Sequence, residues 1–187
     1  MSKIKFAALG VAALGVAALP VAASYAEVTS PQSADTTYQA TIEESFTFTN
    51  SQKDQTITSA LTNGGEVVTN ATKTNLKVVT NHTSGFNITA ASEADSDAAL
   101  KSASDTIPYS TTALTAGTSG WNLTLGSGFS TNGIIALADA GVTIHTQSTP
   151  TTTTGVAADI TYAAAASSSQ AAGTYDNVVT YTATLNS

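Results

Sequence analysis

The chain has no cysteine. That removes disulfide staples, thiol nucleophiles and thiolate metal ligands, and it leaves stability to an apolar core. Charge is scarce as well. Charged residues make up 10% of the 187 positions, the net charge is −7 and the isoelectric point is near 4.4. Nucleic acids and anionic membranes are bound by clustered Lys and Arg, so neither is an expected partner. His82 and His145 are the only imidazoles, which excludes a histidine-rich zinc site. Ser127 sits in Gly-Ser-Gly without the Gly-x-Ser-x-Gly elbow and its strand-to-helix turn. The expectation is a protein that is not an enzyme, with both histidines on exposed strand or loop faces.

The first feature that is present is a leader. Lys3 and Lys5 precede an apolar run, Phe6 to Leu19, and Ser24-Tyr25-Ala26 ends in the small-x-small pattern of a signal-peptidase site. The run is short for a bilayer and is followed by Pro20. Residues 1–26 therefore read as a signal peptide cleaved after Ala26, with no lipobox Cys and no twin Arg. This predicts a secreted protein with no membrane association after cleavage. Residues 27–37 read as a flexible lead-in and 38–187 as a single domain.

The second feature is a period of two. In the last stretch, Gly173 to Leu185, the residues Tyr175, Val179, Tyr181, Ala183 and Leu185 share one parity. Val178, Thr180, Thr182 and Thr184 take the other, as in a strand with a dry face and a Thr-coated face. The same pattern predicts a strand of about ten residues from Tyr38 to Phe48, with Ala40, Ile42 and Phe46 in phase. It predicts another from Gln55 to Leu61, leading into the hairpin signal Asn63-Gly64. A second strand pair, Asn75 to Thr80 and Gly85 to Ala90, flanks Asn81-His82-Thr83-Ser84. Further strands are expected at Ile107 to Tyr109, Gly120 to Gly126, Ile134 to Leu137, Val142 to Thr146 and Gly155 to Ala165. Ala91 to Asp105 breaks the pattern and suits a loop with one helical turn, and Thr149 to Thr154 suits a mobile Thr-rich loop. Short strands with regular turn signals predict an all-β fold, an antiparallel Greek-key (immunoglobulin-like) β-sandwich of about 8–10 strands.

Candidate sites are few. Glu93, Asp95 and Asp97 alternate carboxylates as a calcium loop does, although Ala98 stands where an EF-hand needs its sharp-turn Gly. Asn70, Asn81, Asn87 and Asn122 each begin an Asn-x-Thr triplet, close to what chance gives in a chain this rich in Thr and Asn. Trp121 is the only Trp, and its alternation with Leu123 and Leu125 points to the core rather than to a platform stacking on a sugar.

Trp121-Asn122-Leu123 is a Trp-x-Leu motif, and the chain closes with Gly173, Tyr175, Tyr181 and Leu185 in the order Gly-x-Tyr-x5-aromatic-x3-Leu. This resembles the WxL-type surface domains of Gram-positive bacteria over roughly residues 107–185. Where those domains carry a second Trp in the terminal strand, Tyr181 stands nearest here. The resemblance implies a cell-surface module held non-covalently at the bacterial cell wall, with peptidoglycan or other surface proteins as partners. It would make Trp121, Leu123, Tyr175, Tyr181 and Leu185 the binding residues. The opening Ala40-Thr-Ile-Glu-Glu-Ser-Phe-Thr-Phe48 with the closing Ala-Gly-Thr-Tyr-x-x-x-Val-Thr-Tyr-Thr is similar to spore-coat and archaic chaperone–usher pilin subunits. Phe46 lies where those usually hold a Cys. That likeness implies a fibre subunit that assembles with copies of itself by strand exchange.

Overall fold

The computed structural model describes residues 39–55, 57, 65–93 and 97–187. The expected leader with its cleavage site at Ala26, the lead-in 27–37, Tyr38 and the Asn63-Gly64 hairpin lie outside these residues. So does most of the strand expected at 55–61. The chain divides into a unit Met1–Ala40 and a unit Thr41–Ser187, and the latter holds every described strand. The described residues contain no α-helix.

The elements in chain order are β1 (Phe46–Asn50), β2 (Val68–Thr69), β3 (Thr74–Thr80), β4 (Phe86–Ser92), β5 (Leu100–Lys101) and β6 (Thr106–Ile107). They continue with β7 (Gly120–Leu125), β8 (Gly133–Ile134), β9 (Val142–Gln147), β10 (Val156–Ala165) and β11 (Val179–Leu185). The large sheet runs β1-β3-β10-β7-β8, with β2 also on β10. A three-stranded sheet runs β11-β4-β9, and β5 and β6 form a separate hairpin. All of these ladders are antiparallel.

The core is the space between the two larger sheets. Leu76, Val78, Leu123, Leu125, Ala158 and Ile160 enter it from one side, and Phe86, Ile88, Ala90 and Ile144 from the other. Alternation is clean where a strand has one dry face: β3 and β4 both alternate buried and half-buried positions along their whole length. Nearly fully burying a Leu, Ile or Phe contributes about 1.5–3 kcal/mol each. The two sheets therefore hold one another mainly through this set.

Several expectations are corrected. The strand expected from Tyr38 starts only at Phe46, because its partner β3 ends at Thr80, opposite Phe46, and the chain then turns away. Past that point the Ser45 carbonyl accepts from Asn81 N–H at 3.3 Å, residues 41–45 form no ladder, and Ile42 is 86% exposed. Strands β3 and β4 do not form a hairpin. The turn 81–84 carries the chain from one sheet to the other, which lets both strands point an apolar face inward. Gly85 closes that turn at φ +73°, and a Cβ there would stand 2.0 Å from the Gln147 carbonyl oxygen. Only glycine fits that approach.

Within the loop expected from Ala91 to Asp105, Ala91 and Ser92 belong to β4, and Leu100 to Ile107 form the β5–β6 hairpin with no helical turn among the described residues. Its connection is tied by Ser102, whose N–H and hydroxyl both donate to the Asp105 carbonyl, at 2.9 and 3.0 Å. The Thr-rich stretch 149–154 is also anchored. Thr151 N–H donates to the Thr80 carbonyl at 2.9 Å, and Thr80 N–H donates to Thr151 Oγ1 at 3.0 Å. His145 is buried as well. A bulge in β9 sets Ile88 opposite His145 and Thr89 opposite Thr143, so Ile144 is the extra residue and both Ile144 and His145 turn inward.

Candidate functional site

The two halves of the terminal motif meet at one end of the sandwich. Trp121 lies on β7, in the large sheet, and Tyr181 on β11, in the small one. Trp121 is 3% exposed. Its indole N–H donates to the Ala98 carbonyl at 2.9 Å, and the Tyr109 ring packs edge-on against it with centroids 4.9 Å apart. The expected core role holds, and no flat face of Trp121 is presented to solvent.

Ala98 is the one non-glycine among the described residues with a left-handed backbone, at φ +52°. Its carbonyl also accepts from Asn177 Nδ2 at 2.9 Å, and that same amide donates to the Ala99 carbonyl at 3.2 Å. An alanine in that conformation costs about 1–2 kcal/mol, and the two donors that meet its carbonyl offset that cost. The pairing fixes the segment before β11 against the indole.

Across the gap, the phenols of Tyr162 on β10 and Tyr181 on β11 are hydrogen-bonded at 2.8 Å, tying the two sheets together. Burial raises the pKa of both, so both stay neutral near pH 7. Burial likewise pushes Tyr109 up to about 12. Tyr175 lies outside β11, where its hydroxyl donates to the Ala171 carbonyl at 2.7 Å and to Asp105 Oδ2 at 3.3 Å. Backbone N–H groups of Ala171 and Thr106, then the Tyr175 hydroxyl, hold the Asp105 carboxyl below its usual value of 3.8. The N-terminal half of the expected last strand is thus a braced loop, with Asp176 bridged to Lys101.

Trp121, Tyr162, Tyr175 and Tyr181, together with Leu100 and Ile107, line a cleft of about 1010 Å³. Polar groups of Asn50, Lys53, Asp54 and Gln170 also border it. The structure therefore brings together three of the five motif residues. Leu123 is instead fully buried in the core, and Leu185 pairs with Phe86 at the far end of β11.

The cleft abuts an open sheet edge. Among the described residues β11 is hydrogen-bonded to β4 alone. Glu93 N–H donates to the Val178 carbonyl at 2.9 Å, and Asn186 N–H donates to the Gly85 carbonyl at 3.1 Å. Even-numbered residues of this strand therefore turn their backbone groups toward β4. By the antiparallel alternation, Val179, Tyr181, Ala183 and Leu185 turn theirs outward. The same four side chains face the interior, and Thr180, Thr182 and Thr184 are exposed.

The remaining candidates are occupied otherwise. Glu93 Oε1 accepts from the Thr180 hydroxyl at 2.8 Å, and Asp97 Oδ1 accepts from Ala99 N–H at 3.2 Å. Asp95 lies outside the described residues, so the calcium trio is not seen whole. Among the Asn-x-Thr triplets, Asn70 is buried and its Oδ1 accepts from Tyr162 N–H at 2.9 Å. Asn122 is buried and donates to the Thr112 carbonyl at 3.0 Å.

His145 accepts from Ser130 N–H through Nδ1 at 2.9 Å and stacks on Phe129, with centroids 5.0 Å apart. His82 lies 4.0 Å from Glu44. Neither histidine lines the cleft. Its walls combine the phenols of Tyr162, Tyr175 and Tyr181, the indole of Trp121 and aliphatic groups with the polar side chains of Lys53, Asp54, Gln170, Asp176 and Asn177.

Tyr162 falls within the strand expected from Gly155 to Ala165, and Asn177 carries no signal in the sequence. Tyr162's period-two signal was visible, but its partner on another strand was not. Compared with family models, curated proteins and solved structures, the chain matches none.

Proposed function

We propose that this chain is an exported, non-catalytic structural protein of a bacterial cell surface that assembles by taking an extended segment of a neighbour onto β11. The observation that carries the reading is the free β11 edge beside the cleft. Main-chain groups of four alternate residues point outward there, and the side chains of the same residues border the sandwich interior. Adding a strand to such an edge uses backbone hydrogen bonds for affinity and alternate side-chain pockets for specificity. The likeness of the opening and closing segments to pilin subunits, and the leader-like pattern of residues 1–26, support the same conclusion.

A second reading keeps the chain as a WxL-like module held non-covalently at the wall. Its support is the convergence of Trp121, Tyr175 and Tyr181 on one cleft. The two separate in one experiment on the form beginning at Glu27. Concentration-dependent growth in light scattering, with fibres in electron micrographs that vanish when residues 27–42 are deleted, is the expected result. A monomer that pellets with purified peptidoglycan would replace the fibre reading with the wall-bound one.

A further inference from the structure

The described segment ahead of β1 forms no ladder and is held largely by side chains of Thr80 and Asn81. Asn81 Oδ1 accepts from Ser45 N–H at 2.7 Å, and Asn81 Nδ2 donates to the Glu43 carbonyl at 2.7 Å. The Ser45 carbonyl accepts from the Thr80 hydroxyl at 2.7 Å and from Asn81 N–H at 3.3 Å. One amide thus supplies both the acceptor and the donor that a neighbouring strand would offer. It does so just past the end of β3, where none of the described strands continues the ladder. The consequence is visible at Ile42. It is a large apolar side chain left 86% exposed, although Ala40, Ile42, Phe46 and Phe48 share one parity.

An isolated exposed apolar residue is ordinary, but here it is paired with a matching surface. The outward backbone groups of β11 alternate with the period that Ala40 and Ile42 share. Val179 to Leu185 contains no charged residue, and neither does Gln39 to Ile42. For a chain of net charge −7, contacts between copies meet least repulsion where both surfaces are neutral.

We propose that Asn81 is a positioning residue that aims this segment away from its own domain, so that Ile42 enters the cleft beside Tyr181 of a second copy while the backbone pairs with β11. The contact is heterologous, because the donor and acceptor surfaces differ, and it therefore extends without closing. This inference rests on the strand-exchange reading and adds to it the residue that plugs the cleft and the residue that aims it.

The test uses the form beginning at Glu27, with sedimentation velocity for assembly, thermal melting for the fold, and a fluorescent peptide of residues 33–45 for the isolated contact. Ile42→Ser is expected to leave the melting temperature unchanged, because the side chain is exposed, and to slow assembly at least tenfold. The same substitution in the peptide is expected to weaken its binding to the protein at least tenfold. Asn81→Ala is expected to slow assembly of the protein without changing its affinity for the added wild-type peptide, a split that a general loss of structure would not produce. Fibres that form at the wild-type rate with Ile42→Ser would overturn this inference and leave the fibre reading standing. A wild-type protein that neither assembles nor binds the peptide would remove both.

Discussion

Strands β7 and β11 carry the two halves of one sequence motif and have opposite surroundings. Along β7 every residue except Thr124 is buried, including Asn122, whose parity should have turned it to water. The segment 108–114 covers that outer side. Trp121 N–H donates to the Pro108 carbonyl at 3.0 Å, Ser110 N–H to the Trp121 carbonyl at 2.8 Å, and Asn122 Nδ2 to the Thr112 carbonyl. Strand β11 alternates half-buried and exposed positions along its whole length and has one strand neighbour among the described residues. The contrast teaches that an alternating pattern reports which face is dry. It does not report how many neighbours a strand has, and neighbours decide whether a strand is scaffold or surface.

The sharpest way to break the contrast is at its centre. Trp121→Ala should cost about 3–5 kcal/mol, read by urea unfolding, because it empties a buried site and leaves the Ala98 carbonyl with one donor fewer. A loss of partner binding with unchanged unfolding would move Trp121 from the scaffold to the surface.

Asn177→Ala should cost about 1–3 kcal/mol, since it strips donors from the Ala98 and Ala99 carbonyls at the approach to β11. Faster hydrogen exchange at Ala99 and Trp121 would locate the damage there; a uniform change would not fit this role.

Tyr181→Phe keeps the ring and removes one hydroxyl from the cross-sheet pair, for an expected cost of about 0.5–1.5 kcal/mol. The double variant with Tyr162→Phe should cost less than the sum of the two single changes. Strict additivity would mean the phenols are not coupled.

Acid supplies a weaker probe. Burial lowers the His145 pKa below its ordinary 6.5, so the unfolded chain takes up that proton first. Stability from this group is complete above pH 6.5 and is lost as pH falls from there through the folded value. His145→Gln should flatten that part of the melting-temperature profile. An unaltered slope would assign it to other groups.

At the small end, Thr182→Ala on the exposed face of β11 should change stability by no more than about 0.5 kcal/mol. A larger loss in the isolated protein would mean that this face is covered.

Much of the fold was legible along the chain. Leu76 and Val78, Phe86 and Ile88, Trp121 and Leu123, and the dry parity of β11 all lie where a period of two places them. His145 was misread because a single extra residue, Ile144, reverses the parity beyond it. The register of a bulge depends on the partner strand. The β5–β6 hairpin was hidden by a stretch rich in Ala and Ser, whose ladder is held by turn hydrogen bonds rather than by β-branched side chains. Of the candidate site, Trp121, Tyr175 and Tyr181 were named in advance. Tyr162 and Asn177 were not, and Ala98 stood out only in place of an EF-hand glycine, because each matters through a partner at least 19 residues away in sequence.

What the sequence by itself determined was the class of structure. It has little charge, no cysteine staples, and a period of two that only paired strands satisfy. The tertiary structure alone decided which strands became neighbours, and therefore that β7 is enclosed while β11 keeps an open edge beside a cleft. The physical reason lies in range. Alternation is a property of adjacent residues, whereas burial of an edge and closure of a cleft depend on strands that meet across long stretches of sequence, as Leu185 meets Phe86.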